Sequence, residues 1–281
     1  MGIQIVVDST ADMRPEVADK VLIVPLSVQF GEKTYVSGVD ITPSQFYEML
    51  AQSDVLPTTS QPAPFLFEEA FEKAVSEGNE VICLTCSGKL SGTHQSANIA
   101  AAEFEGKVHV VDSNTIALGL GIMVEYAVGL AKQNVSAAEI LDKLKEKREK
   151  VRLLALVDTL EYLKKGGRIS SAVALAGGLL NIKPVISVND GEIKLLGKAR
   201  GVRQGNILLN QEIEKAGGVD FDLPVMLGYT GTQEEQLQKY IQESNDLWAA
   251  YDGNLPVAVV GSVVGTHAGP GAVAVGFFAA E

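Results

Sequence analysis

Short apolar runs and helix-spaced apolar positions take turns along the first half of the chain. "IQIVVDS" (3–9), "EVICLTC" (80–86) and "KVHVVDS" (107–113) are apolar stretches of strand length, the pattern of strands buried on both faces. Between them, "TPSQFYEMLAQ" (42–52) opens with Thr42 as a helix cap and Pro43 at the first helical position. "PFLFEEAFEKAVSEG" (64–78) has an apolar face at helical spacing and stops at Gly78, and "SGTHQSANIAAAEF" (91–104) is a small-residue helix. "LGLGIMVEYAVGLAKQ" (118–133) is apolar nearly all round and is predicted to be buried. "SAAE" (136–139) has the capping-box pattern and starts a charged helix. Strands alternating with helices predict a parallel sheet covered by helices.

The character changes near residue 150. "LLALVDTLEYLKKGGRISSAVALAGGLL" (153–180) joins a strand, an amphipathic turn, a double glycine and a second small-residue helix. "KPVISVN" and "EIKLLGKA" flank the turn "NDG", a hairpin signal. A helix around 203–216, "LPVMLGY", a helix near 232–248, "LPVAVVGSV" and "GAVAVGFF" complete the chain. The expected fold is α/β in two domains: a parallel α/β sheet over 1–150, then an α+β domain with a mixed sheet over 151–281. At 281 residues, two cores are affordable.

Charge narrows the partners. The net charge is −12, which argues against broad binding of nucleic acid or anionic membrane. Yet Lys143 to Arg203 holds 14 basic and 6 acidic residues, a balance of +8, which suggests an anionic ligand or an acidic partner. The lysine-rich helix "LDKLKEKREK" accounts for about half of that excess. No run approaches the roughly 20 apolar residues of a membrane span. "MGIQIVVDST" has neither a basic start nor a cleavage site, so the cytoplasm is the expected compartment. The only cysteines, Cys83 and Cys86, fall in and beside a strand, not at a helix start, and are read as buried small residues, not as a redox or metal pair. No set of side chains has metal-ligand spacing, and no cofactor is expected.

Four segments concentrate anion-binding groups: "PTTSQPAP" (57–64) with Thr58, Thr59 and Ser60 before a helix; "SGKLSGTHQ" (87–95) with Ser91, Gly92 and Thr93 at a helix start; "KKGGRIS" (164–170) with Arg168; and "GTHAGPG" (265–271), which puts His267 in a glycine-rich loop. Unpaired amides and the positive end of a helix dipole favour an anion. Plain capping is the commoner explanation of each Ser/Thr cluster taken singly, as it is of Asp8, Ser9, Asp112 and Ser113 at the ends of "VVDST" and "VVDSN". A hydrolase reading would use Ser91, His267 and Asp8 or Asp112 as nucleophile, base and orienter, although "KLSGT" is not a nucleophile elbow. Glycines in "LGLG", "GGLL" and "GPGAVAVG" leave room either for a ligand or for close helix packing.

Taken in order, "VVDSTADM", "TTSQPAPFLFEEAF", "CSGKLSGTHQSANIAA", "VVDSNTIALGLG", "LEYLKKGGRIS", "IKPVISVNDGEIKLLGKAR" and "GTHAGPGAVAVGFF" resemble the DegV family over essentially the whole chain. That family includes the fatty-acid-binding subunits of bacterial fatty acid kinase. The resemblance implies a long-chain fatty acid between the two domains. Its carboxylate would be held by Thr59 or Ser60, by Ser91 with Gly92 and Thr93, by Arg168 and by His267. It implies presentation of that carboxylate to a separate ATP-dependent kinase that makes the acyl phosphate for phospholipid synthesis, with Lys198, Arg200 and Arg203 near the docking surface and transient contact with a membrane. His94 stands where the family often has an aromatic residue. On this reading the chain is a carrier, not a catalyst alone; a stand-alone serine-dependent lipid hydrolase or acyltransferase and a lipid-sensing regulator are the alternatives. The glycines after residue 176 mark the expected mobile element, the helix following Gly177 and Gly178.

Overall fold

Four parallel strands, β1 (Ile3–Asp8), β2 (Val21–Val24), β6 (Glu80–Thr85) and β7 (Val108–Asp112), lie in the order β2-β1-β6-β7. The computed structural model describes residues 2–170 and 181–281; the double glycine at 177–178 and the small-residue helix expected there lie outside them. Both faces of this sheet are covered, as its continuous apolar strands require. On one side, α3 (Pro64–Ser76) and α4 (Thr93–Ala101) pack Phe67, Phe71, Ala97 and Ala100 onto Val6, Val81 and Cys83. On the other lie α5 (Ala117–Lys132) and α6 (Ala137–Arg148). Cys83 and Cys86 belong to opposite faces, and both thiols are free and pushed well up by burial.

The second sheet is mixed and six-stranded: β8 (Val151–Leu156), β9 (Ile182–Asn189), β10 (Glu192–Arg200), β11 (Met226–Tyr229), β12 (Val257–Val259) and β13 (Val273–Phe278), in the order β10-β9-β8-β13-β11-β12. Only β11 and β12 pair in parallel. The predicted hairpin joins β9 to β10 with Asp190 and Gly191 both at positive φ, 52° and 77°, the twist that a two-residue turn needs. α8 (Val202–Lys215), α9 (Glu235–Glu243) and the short α10 (Asn245–Trp248) accompany this sheet, so the helix expected near 232–248 is broken around Ser244.

The predicted caps are present in graded form. Thr42 and Gln45 make both bonds of a capping box at the start of α2 (Pro43–Gln52). Ser136 accepts from the Glu139 amide at 3.3 Å, one arm of the expected box. A third, small antiparallel sheet was not expected: β3 (Ser27–Phe30), β4 (Lys33–Val36) and β5 (Thr58–Ser60), ordered β4-β3-β5. Residues 58–60 carry no apolar side chain, and only backbone pairing makes them a strand. The remaining short helices are α1 (Pro15–Ala18), α7 (Glu161–Lys165) and α11 (Ser262–Ala268).

α5 joins the halves. Eleven of its 16 residues are buried, because the parallel sheet covers one side and β8, β11 and β13 the other. Leu118 seats in a notch left by Gly228 and Gly276; a Cβ at Gly276 would stand 2.8 Å from the Leu118 Cβ and 2.9 Å from its carbonyl carbon. The glycines of "LGLG" serve the same purpose: Gly119 abuts Thr115, and Gly121 abuts the Asp12 carbonyl. Gly276→Val is therefore expected to destabilise the chain by about 2 kcal/mol through backbone overpacking, read as a lowered midpoint in urea. An unchanged midpoint would mean that α5 is free to withdraw from the sheet.

Candidate functional site

Thr59, Ser91, Arg168 and His267, drawn from four separate segments, line one cavity between the two sheets. Thr59 sits on β5 opposite Val28. Alternation along the strand turns Ser60 to the exposed face, so of that pair only Thr59 reaches the cavity. Neither hydroxyl caps α3, whose first residue follows Ala63 with no side-chain cap. His267 is not in a loop: it occupies the last turn of α11. Its Nε2 and the Thr59 hydroxyl lie 2.9 Å apart, while its Nδ1 is buried without a partner.

Ser91 precedes α4 and shares a 2.8 Å hydrogen bond with the Thr93 hydroxyl. Thr93 is fully buried and orients Ser91 without lining the cavity. Gly92, also outside the lining, is packed against Gln61: a Cβ there would stand 2.0 Å from the Gln61 Oε1. Arg168 follows α7, its Nε donating to the Leu90 carbonyl at 3.2 Å and its Nη1 to the Gly166 carbonyl at 2.6 Å. Two donors spent on backbone fix the plane of the fork and leave its charge at the mouth. Burial first, and the Arg168 charge second, lower His267 to about 4, so the imidazole is neutral at physiological pH.

Apart from Thr10, Ser187 and Thr230, the remaining walls are apolar. Leu153, Ala155, Val157, Ile186, Val188 and Ala274 come from β8, β9, β13 and their flanks. Along β13, Ala274 and Gly276 share the face toward the N-terminal half, with Ala272 just before the strand also lining the cavity, while Val273, Val275 and Phe277 pack the opposite core. In "GAVAVG", then, two alanines leave lumen and the glycine gives close packing. About 870 Å³ between the lining residues, mouth included, is free of atoms. Thr230, a polar liner that the sequence did not single out, accepts from the Ala272 amide. Two surface grooves meet the cavity at Arg168, one bounded by Asp54–Thr59 and Tyr162, the other by Lys89 and Glu192.

Among the described residues no hydrogen bond joins Ser91, His267 and either aspartate. Ser91 bonds Thr93, not His267. The Asp8 carboxylate is fully buried and taken by the Thr10 amide, the Thr10 hydroxyl and the Cys86 amide. Asp112 accepts from the Gly88 and Asn114 amides. Both aspartates cap turns. Among the described residues no group of three His, Cys, Asp or Glu is placed to hold a metal ion, and no helix is long and apolar enough to cross a membrane. Of the three basic residues put forward for docking, Arg200 and Arg203 are exposed, but the Lys198 amine is buried without a hydrogen-bond partner.

The sequence model of the family described as "Uncharacterised protein, DegV family" matches residues 2–280. A DegV domain-containing protein of Deinococcus radiodurans is 38% identical over 277 residues, spanning 98% of each chain. Among solved structures, a DegV family protein from Thermus thermophilus described by its fatty acid binding is similar at a TM-score of 0.89 and 33% identity, over 99% of this chain and 100% of that one. The Streptococcus pneumoniae fatty acid kinase B3 protein loaded with linoleic acid is similar at a TM-score of 0.85 and 25% identity, over 99% of both.

Proposed function

The chain belongs to the DegV family, and from that premise we propose that it holds one long-chain fatty acid and presents its carboxylate to a separate ATP-dependent fatty acid kinase. The observation that carries this reading is the convergence of Thr59, Ser91, Arg168 and His267 on one largely apolar cavity. Each buried CH₂ contributes about 0.8 kcal/mol, and a buried carboxylate left unpaired would cancel much of the gain. Arg168 supplies the countercharge. With its proton on Nε2, neutral His267 donates to Thr59, whose own hydroxyl proton then turns to the carboxylate alongside that of Ser91. The fatty-acid-bound relatives support the ligand class, and the S. pneumoniae protein supports the kinase partner. Arg200 and Arg203 are the docking charges we assign, within a C-terminal domain of residues 151–281 set against an N-terminal domain of 1–150.

Mass spectrometry of the purified protein under non-denaturing conditions tests the reading. A co-purifying fatty acid near one per chain, converted to acyl phosphate only when a bacterial fatty acid kinase and ATP are added, supports it. An empty protein that neither takes up oleate nor serves the kinase overturns it, and lipid hydrolysis by the chain alone would favour the enzyme reading.

Gly166→Ala probes the carboxylate end with a single methyl. Gly166 has an ordinary helical φ of −74°, so its backbone accepts alanine, but the added Cβ would stand 2.1 Å from the His267 Nδ1. The ring must move away from Thr59. Oleate affinity is expected to fall about tenfold, close to the loss of one good hydrogen bond, with little change in melting temperature; an unaltered affinity would remove His267 from the site.

A further inference from the structure

The stretch "VVDSTADM" gives Thr10 to the cavity wall, and Asp12 near its close reaches the start of the helix that carries His267. Asp12 is only 7% exposed. Its Oδ1 accepts a 2.8 Å hydrogen bond from the amide of Gly261, the residue immediately before α11, while its Oδ2 is buried with no partner. The Asp12 backbone is itself clamped. Its amide donates to the Ala117 carbonyl, and its own carbonyl lies so near α5 that a Cβ at Gly121 would stand 1.9 Å from it. Two further bonds from the N-terminal half converge on the same helix start: Tyr47 Oη donates to the Val260 carbonyl at 2.9 Å, and the hydroxyls of Ser37 and Ser262 lie 2.9 Å apart. Phe46 and Tyr47 then close against Gly265. A seven-residue helix has little stability of its own, so what grips its start decides where its far end stands. A carboxylate at that start also complements the helix dipole.

We propose that Asp12 is a positioning residue for the ligand: by holding the start of α11 from the N-terminal half, it sets where His267 stands relative to Thr59. This rests on the fatty-acid reading of the site. Burial raises the Asp12 carboxyl to about 7, against the opposing bond from Gly261. No charged side chain among the described residues shifts it; its titratable neighbour is Tyr47 on α2, which burial, the Asp12 charge and Tyr229 all raise. The grip therefore changes charge across neutrality, whereas His267, lowered to about 4, does not.

The chain has three histidines, 94, 109 and 267, which makes their ring resonances separable probes. In the full-length protein the His267 ring signals are expected to step near pH 7. Asp12→Asn, which keeps an acceptor for Gly261 but no charge, should abolish that step and leave the curves of His94 and His109 in place. Asp12→Ala, which removes both, should release oleate about tenfold faster, followed by displacement with a fluorescent fatty acid. A His267 step that survives Asp12→Asn, or wild-type release rates in a folded Asp12→Ala protein, overturns the proposal. Should Asp12→Ala not fold, the Asn variant and the wild-type titration decide alone. If the wild type does not retain oleate, the reading of the site fails instead, and the His267 step still judges the grip.

Discussion

Arg168→Met is expected to weaken oleate binding by about two orders of magnitude while the chain stays folded. Among the described lining residues Arg168 is the only cation, His267 being neutral. Methionine keeps much of the stem's length and apolar packing, so the substitution removes the countercharge without opening a hole. The carboxylate would then sit in an apolar mouth with only hydroxyl donors, and a charge-assisted bond of about 3 kcal/mol corresponds to about a hundredfold in affinity. The loss should exceed that of Thr59→Val or Ser91→Ala taken singly. Isothermal titration with oleate measures it, and nuclear magnetic resonance supplies a second reading. Arg168 is the lesser of two causes that lower His267, after burial. Removing it should raise the imidazole's pKa from about 4 yet leave it below the ordinary value. Oleate affinity within threefold of wild type would remove Arg168 from the carboxylate end and leave the grooves that meet there without a functional reason.

The strands and helices that bury two faces or cap cleanly were plain in the residues. α5 could be read from "LGLGIMVEYAVGLAKQ" because a helix apolar all round must be covered all round, and Thr42-Pro43 and Asn189-Asp190-Gly191 signal their cap and turn through local chemistry. What stayed illegible depends on distant pairing. β5 is three polar residues whose strand state comes from β3, and that pairing is what points Thr59 inward and Ser60 outward. His267 sits beside glycines and so resembled a loop, but Phe46, Tyr47 and Val263 supply the packing that makes α11 a helix. For the cavity wall the sequence offered only small residues that fit a ligand or close packing alike. Its alanines look like ordinary strand filler until the alternation of "GAVAVG" is set against the notch that Leu118 occupies. Asp12 drew no notice in the sequence, and only its unpartnered Oδ2 and its reach to Gly261 set it apart.

Ala274→Phe should shorten the acid that the protein accepts. Ala274 lines the cavity from β13, flanked by Ala155 on β8 and Gly228 on β11, so a ring there projects into the lumen and not into the filled core behind Val273 and Val275. Displacing about four methylenes from the apolar wall forfeits about 3 kcal/mol, or about two orders of magnitude for an eighteen-carbon acid. A shorter acid whose tail stops before Ala274 would lose little, because its carboxylate partners are untouched. The profile of acids that co-purify with the variant, read by mass spectrometry, should therefore move to shorter chains while oleate affinity falls. Because the ring fills a hollow instead of a packed region, the overpacking penalty is smaller than at Gly276, where backbone blocks the way, and the urea midpoint should stay close to wild type. The two variants thus separate the small residues of one strand by their roles. If Ala274→Phe leaves both the acid profile and oleate affinity unchanged, the tail does not pass β13, and the lumen beside Ala272 and Ala274 would have to be explained by something other than an acyl chain.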